Sequence, residues 1–128
     1  MTRIDPTKYT AKAADAIRLF NHRTMPTQTG PGIAHPGTIY RAIGDVQTLS
    51  RSLQQALDHI GMALRDLNDA GLLTADHGTT DDHTATAVAA LEAAEQAGHL
   101  MTEALGRAHT ATSPLGYGGP HADTDDDL

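Results

Sequence analysis

The chain has 128 residues, no cysteine and no tryptophan, and only 3% of its residues are aromatic. Its length predicts one domain, and the missing cysteines exclude disulfides and thiolate metal sites. So few aromatic side chains favour closely packed helices over a thick mixed core. The net charge of −7 is uneven, because basic side chains outnumber acidic ones in residues 1–41 while the remainder is acidic.

No segment has the composition of a membrane or export signal. The N-terminus lacks the apolar core of a signal peptide. No apolar run approaches the roughly 20 residues of a membrane-spanning helix. We therefore expect a soluble, cytoplasmic protein that makes no membrane contact, with export by a route that needs no cleaved signal as the alternative.

The first helix is predicted over residues 6–22. Asp5 and Pro6 are typical of a helix start, since Asp caps free N–H groups and Pro fits the first helical position. A single apolar stripe follows at helical spacing: Tyr9, Ala13, Ile17 and Phe20. Residues 1–23 are interpreted as an N-terminal amphipathic helix, and residues 24–37 as a linker because Pro and Gly recur there.

The second helix is predicted over residues 39–70, with Thr38 as its cap and Gly71 as its stop. Its main apolar row repeats at alternating steps of three and four, which is a heptad pattern. The row consists of Ile39, Ala42, Val46, Leu49, Leu53, Ala56, Ile60, Ala63, Leu67 and Ala70. A flanking row widens the stripe beyond a two-stranded seam: Ile43, Leu57 and Leu64.

The third helix is predicted over residues 83–110. Asp81, Asp82 or Thr84 is expected to cap it, and Pro114 to end it. Its apolar row is rich in small residues: Ala87, Leu91, Ala94, Gly98, Met101, Leu105 and Ala108.

The second and third helices have similar lengths and a short connection, so they are expected to form an antiparallel hairpin over residues 38–113. Residues 114–128 are acidic and rich in Gly and Pro, which predicts a disordered tail.

The fold class predicted is all-α, a long helical hairpin preceded by a short helix. The main row of the second helix is expected to face the third helix. The flanking row then faces either the first helix, giving a three-helix bundle, or a second chain, giving a dimeric four-helix bundle. We favour the dimer, and the interface residues predicted are Ile43, Leu57 and Leu64 together with Ile39, Val46, Leu53 and Ile60.

One face of the third helix carries side chains that could ligate a divalent metal: Glu92, Glu95, His99 and Glu103. Bundle di-metal sites typically combine Glu-x-x-His motifs from two helices. Here the spacing is Glu-x-x-x-His, and the second helix has no Glu. The sequence therefore predicts a solvated acidic face, with no metal and no cofactor.

No catalytic motif is present, since the serines lie in no elbow-like turn and no phosphate-binding or dinucleotide signature occurs. We expect a non-enzymatic protein that associates with itself or with another protein. The alternative is a small nucleic-acid-associated or regulatory protein that contacts phosphates through basic residues: Lys8, Lys12, Arg18 and Arg23. Asp15 interrupts this basic strip and the whole chain is acidic, so the alternative is less favoured.

Two segments, AADAIRLFNHRTM and IYRAIGDVQTLSRSLQQALDHIGMAL, together resemble small helical proteins of high-GC actinobacteria that have no assigned function. In those proteins an Arg and Phe-Asn-His segment precedes a Pro/Gly linker and a long Leu-rich helix. The resemblance covers residues 11–105. It implies an all-helical fold but no activity, so no functional residue is carried over. Small secreted WXG-type proteins fit less well, because the predicted turn lacks Trp-x-Gly.

Overall fold

The computed structural model describes residues 4–26 and 32–119, and over these residues the chain forms three helices and no strand. The helices are, in chain order, α1 (Thr7–Arg23), α2 (Pro36–Asp69) and α3 (Thr80–Thr112). The prediction of an all-α protein built on a long helical hairpin is confirmed. Parts of the predicted linker and tail, residues 27–31 and 120–128, lie outside the described residues, so their predicted states stay predictions.

The chain divides into two units, of which the first comprises Met1–Thr38 with Tyr117–Leu128 and contains α1. A carboxylate oxygen of Asp5 accepts hydrogen bonds from the Thr7 amide (2.9 Å) and the Thr7 hydroxyl (2.7 Å). These bonds favour the charged form, first through the hydroxyl and then through the amide, and so lower the pKa of Asp5. Asp5 thus accepts a hydrogen bond from a backbone N–H group at the start of α1, as the sequence predicts.

The second unit, Ile39–Gly116, holds α3 and all of α2 except its first three residues. α2 begins at Pro36 rather than at the predicted residue 39, because the fixed φ of proline suits the first helical position. Thr38 therefore lies inside the helix and does not cap its end.

α2 ends at the predicted glycine. Gly71 has a φ of +71°, a conformation that costs glycine little. The Leu72 amide donates to the Leu67 carbonyl and the Gly71 amide donates to the Asn68 carbonyl, each at 3.0 Å. This pair of bonds is the Schellman motif, which satisfies carbonyls that the helix end leaves free.

α3 begins at Thr80, three residues before the predicted start. Thr79 has an extended backbone, and its hydroxyl oxygen accepts a hydrogen bond from the Asp82 amide at 3.0 Å. The prediction of Asp81, Asp82 or Thr84 as the cap is therefore wrong. The two aspartates instead occupy the first turn, where negative charge complements the helix dipole.

The middle of the contact between α2 and α3 is polar. Ser50 is 1% exposed, and its Oγ lies 3.2 Å from the Gly98 carbonyl oxygen and 2.8 Å from the Thr102 hydroxyl. Gln54 donates to the Thr102 hydroxyl at 2.8 Å, and Gln47 donates to the Thr102 carbonyl at 3.5 Å. The helices are therefore joined by directional bonds at the centre of their seam.

Ser50 identifies the row of α2 that faces α3, because residues seven apart share one side of a paired helix. We name this the inner row: Ile43, Gln47, Ser50, Gln54, Leu57, Gly61 and Leu64. Leu57 borders a depression with Val88 and Leu91, and Leu64 borders one with Thr84. The structure thus exchanges part of the two predicted rows. Leu57 and Leu64 lie against α3, and Ile43 belongs to the same row of α2. Of the predicted main row, Ile39, Leu53, Ile60 and Leu67 are exposed, whereas Ala42, Val46, Leu49 and Ala56 are half-buried.

Two glycines of α3 explain sterically why the inner row of α2, and not the predicted main row, faces this helix. A Cβ placed on Gly98 would lie 3.0 Å from Cγ of Gln54, and one on Gly106 would lie 2.9 Å from Nε2 of Gln47. The two glycines therefore provide the space that the glutamine side chains of the inner row fill.

We predict that Thr79→Ala lowers the free energy of unfolding by about 1 kcal/mol, because one amide at the start of α3 loses its acceptor. Chemical denaturation followed by circular dichroism measures this change. Thr79→Asp, which keeps a capping oxygen, should retain most of the stability. Equal losses in both variants would contradict the capping role.

Candidate interaction surface

Large apolar side chains of α2 lie outside the helix–helix seam. We name the outer row as the residues at seven-residue spacing beside the inner row: Ile39, Val46, Leu53, Ile60 and Leu67. Four of them are strongly exposed, namely Ile39 (38%), Leu53 (45%), Ile60 (50%) and Leu67 (44%). The outer row is one half of the main row that the sequence predicts against the third helix. The other half consists of Ala42, Leu49, Ala56, Ala63 and Ala70, of which the first three are half-buried.

α3 carries a matching strip of small residues. We name it the alanine row: Ala87, Ala90, Ala94, Ala97, Ala104, Ala108 and Ala111, with Met101 as its one large member. Ala94 is exposed and Met101 is 44% exposed, although the sequence predicts both against the second helix. Five of the seven alanines are exposed, and Ala87 and Ala108 are half-buried.

The outer row and the alanine row lie on the same side of the hairpin. An ion pair between Arg65 and Glu92 bridges the two helices along one side. On α2, the outer row flanks the inner row on the side away from Arg65, and on α3 the alanine row flanks the seam on the side away from Glu92. The two rows together form one continuous surface, which we name the apolar face.

The opposite side of the hairpin is polar. It carries the Arg65–Glu92 pair, and at the turn end of the seam the side-chain amide of Asn68 donates to Asp81 at 2.9 Å. Along α3, Nε2 of His99 lies 3.3 Å from Oε1 of Glu103. Of the predicted acidic face, Glu92 and Glu103 are thus engaged in pairs. Over the part of the chain that the structure describes, no three His, Asp or Glu side chains gather in a metal-binding group.

The hairpin buries little apolar surface between its own helices. Val88, 8% exposed, is the one buried apolar side chain within residues 4–26 and 32–119. Ser50 and Thr84 are the buried polar residues there, and each makes or borders the contact of α2 with α3. The apolar face therefore carries more of the large apolar side chains than the seam buries.

The predicted nucleic-acid contacts lie on α1 and are exposed. Arg18 is held by Asp15 through an ion pair of 2.7 Å. At about 100° per residue, Lys8, Lys12 and Arg23 lie within an arc of about 60°. The structure thus groups three of the four basic residues on one side of α1 and pairs the fourth with an acid.

Comparisons with protein-family models, with curated proteins and with solved structures find no match to this chain. The resemblance to actinobacterial helical proteins stays a prediction. Within the ranges 4–26 and 32–119, none of the helices combines the length and apolar character that crossing a bilayer requires.

Sequence reasoning missed the polar residues of the seam: Gln47, Ser50, Gln54 and Thr102. A signal for them was present, because Gln47 and Gln54 are seven residues apart and a small residue occupies the matching positions of α3. Leu57→Asp would place a charge in the hairpin seam, so a loss of assembly in that variant would not report on the exposed outer row.

We predict that Leu57→Ala lowers the free energy of unfolding by about 2 kcal/mol, because it removes packing against α3. Leu53→Ala should change it by less than about 0.5 kcal/mol, as exposed sites usually do. Both are measured by denaturation at concentrations where the chain is monomeric. A larger effect at Leu53 than at Leu57 would contradict the assignment of the two rows.

Proposed function

We propose that this protein is a non-enzymatic helical interaction module that associates with itself through the apolar face. The observation that carries the proposal is the exposure of Ile39, Leu53, Ile60 and Leu67 in one row of α2. Soluble monomers rarely leave contiguous apolar patches of more than a few hundred Å² uncovered, and larger patches mark interaction sites.

Burial of apolar surface supplies the driving force in this proposal, at about 25 cal/mol per Å² removed from water. The seam between α2 and α3 contributes little of this kind, since its centre holds hydroxyl and amide groups. Association through the apolar face adds the hydrophobic layer that the single hairpin lacks. The proposal requires no cofactor and no metal.

The decisive variant is Leu53→Asp, with Gln55→Asp as its matched control. Leu53 lies near the middle of the outer row, so a carboxylate there should lower the assembled fraction at least tenfold by opposing desolvation. Gln55 is exposed on another side of the same helix, so an equal charge change there should leave assembly unaltered. Light scattering across a dilution series gives the solution mass of each protein.

Circular dichroism is the folding control, and all three proteins should have the same helix content. A wild-type chain that stays monomeric up to high micromolar concentrations would contradict self-association. So would a folded Leu53→Asp variant with the mass of the wild type.

Nucleic-acid binding through α1 is a second candidate function, less favoured than self-association. The supporting observation is that Lys8, Lys12 and Arg23 share one exposed side of α1 and have no ion-pair partner among residues 4–26 and 32–119. Such a strip can contact phosphates. The Asp15–Arg18 pair and the acidic remainder of the chain oppose it.

If α1 binds DNA, charge reversal by Lys8→Glu and Lys12→Glu should abolish retention of a short duplex at low salt. Arg18→Glu should have a smaller effect, because Asp15 already neutralises that side chain. Gel-shift titration measures the retained fraction. Absence of retention by the wild-type protein at low salt would end this candidate.

A further inference from the structure

We propose that the occupant of the apolar face is a second copy of the chain in one defined arrangement, an inference that rests on the proposed function. The two hairpins lie face to face with their α2–α3 turns at the same end. The outer row of each α2 then packs on the alanine row of the other copy's α3. The product is a four-helix bundle with its two-fold axis parallel to the helices.

The dimensions of the face fit a stable dimer. α2 has 34 residues and α3 has 33, so each is about 50 Å long at about 1.5 Å per residue. With helix axes about 10 Å apart, the hairpin is about 20 Å wide. Face-to-face contact would cover roughly 1,000 Å² per chain, or about 2,000 Å² in total, which is within the range of stable interfaces.

Only two symmetric arrangements join two identical faces of this kind. A two-fold axis parallel to the helices places α2 over the α3 of the other copy, with both turns at one end. An axis perpendicular to the helices and lying in the interface places α2 over the other α2, with the turns at opposite ends. The side-chain sizes and the charges on the face distinguish these two arrangements.

Side-chain size favours the first arrangement. The outer row of α2 consists of Ile, Val and Leu, whereas the alanine row of α3 has Met101 as its only large side chain. Large side chains against small ones let two layers interdigitate without voids. The second arrangement sets the large row against itself and the alanine row against itself, which separates one pair of helices and leaves the other underpacked.

Charge favours the same arrangement. On α2, Ala42 and Leu49 flank the outer row, since each lies three or four residues from Val46. Asp45 lies three residues from Ala42 and four from Leu49, and so lies just outside the edge of the apolar face. Arg107 borders it on α3 in the same manner, beside Ala104 and Ala111. Both side chains are exposed, and neither has an ion-pair partner over residues 4–26 and 32–119.

Asp45 and Arg107 also lie at the same height along the hairpin. Gly44 lies against His109, since a Cβ on this glycine would be 3.0 Å from Nε2 of His109, and Gly106 lies against Gln47 in the same way. With both turns at one end, Asp45 of each copy therefore lies level with Arg107 of the other, and symmetry forms the pair twice. With the turns at opposite ends, the two residues are far apart.

Disulfide cross-linking tests the arrangement, because the chain has no cysteine of its own. Gln54 contacts Gly98 and Gly61 contacts Leu91, so Ile60 lies level with the segment between Ala90 and Ala94. Ile60→Cys and Ala94→Cys chains of different mass are mixed and oxidised. We expect a cross-linked heterodimer, because the two thiols of different copies meet across the interface.

A mixture of Ile60→Cys and Val46→Cys is the matched control. These positions are equally distant from Leu53 on either side and would meet only with the turns at opposite ends. Cross-linking of this mixture in place of the first would overturn the arrangement while leaving self-association intact. A monomeric wild type in light scattering would instead overturn the proposed function and this inference together.

The charge pair gives an independent measurement that adds no cysteine. Asp45→Arg and Arg107→Asp should each raise the dimer dissociation constant several-fold, because each sets two like charges together in both symmetric positions. The double variant should recover most of the wild-type affinity at low salt. Additive weakening in the double variant would overturn the proposed pairing.

Discussion

The hydrogen bonds of Ser50 with Gly98 and Thr102 are the constraint on which the rest of the hairpin depends. They are directional, so they fix both the rotation of α2 about its axis and its position along α3. The hydroxyls have to face each other across the seam to be satisfied once water is excluded. With the rotation of α2 fixed in this way, Ile39, Leu53 and Ile60 remain at the surface.

The result is a hairpin with two unlike sides. One side carries the Arg65–Glu92 ion pair and is suited to water, whereas the other carries the outer row and the alanine row. Such a two-sided element resembles one layer of a bundle rather than a complete domain, since a helical layer is normally stabilised by a second layer packed on its apolar side. This difference between the sides is the basis for proposing association in place of catalysis.

The heptad spacing and the turn residues were sufficient to predict the fold class, the three helices and the hairpin. The choice of the contact row was not predictable from apolarity, because the stripe on α2 is wide enough for either edge to face α3. The edge that faces α3 contains Gln47 and Gln54, which count against burial when α2 is considered alone. The two glutamines fit into the seam only because they lie opposite Gly98 and Gly106. Which residues of α3 lie opposite them depends on the register of the two helices in the folded hairpin. Which apolar residues of α2 face α3 and which stay exposed was therefore not predictable from the sequence, and their role in an interface with a second chain stays a prediction.

The order of contacts along the hairpin has a consequence for how it folds. Asn68 and Asp81 are 13 residues apart, whereas Ser50 and Thr102 are 52 apart. Because the entropy lost on closing a loop grows with its length, the contacts nearest the turn should form first and the others follow as a zipper. The Schellman motif at Gly71 and the cap at Thr79 stabilise the two helix ends at the turn, where this closure begins. The end of the hairpin away from the turn is then the last to close and the first to fray. There the ring of Tyr40 stacks on that of His109, with 3.9 Å between the ring centroids.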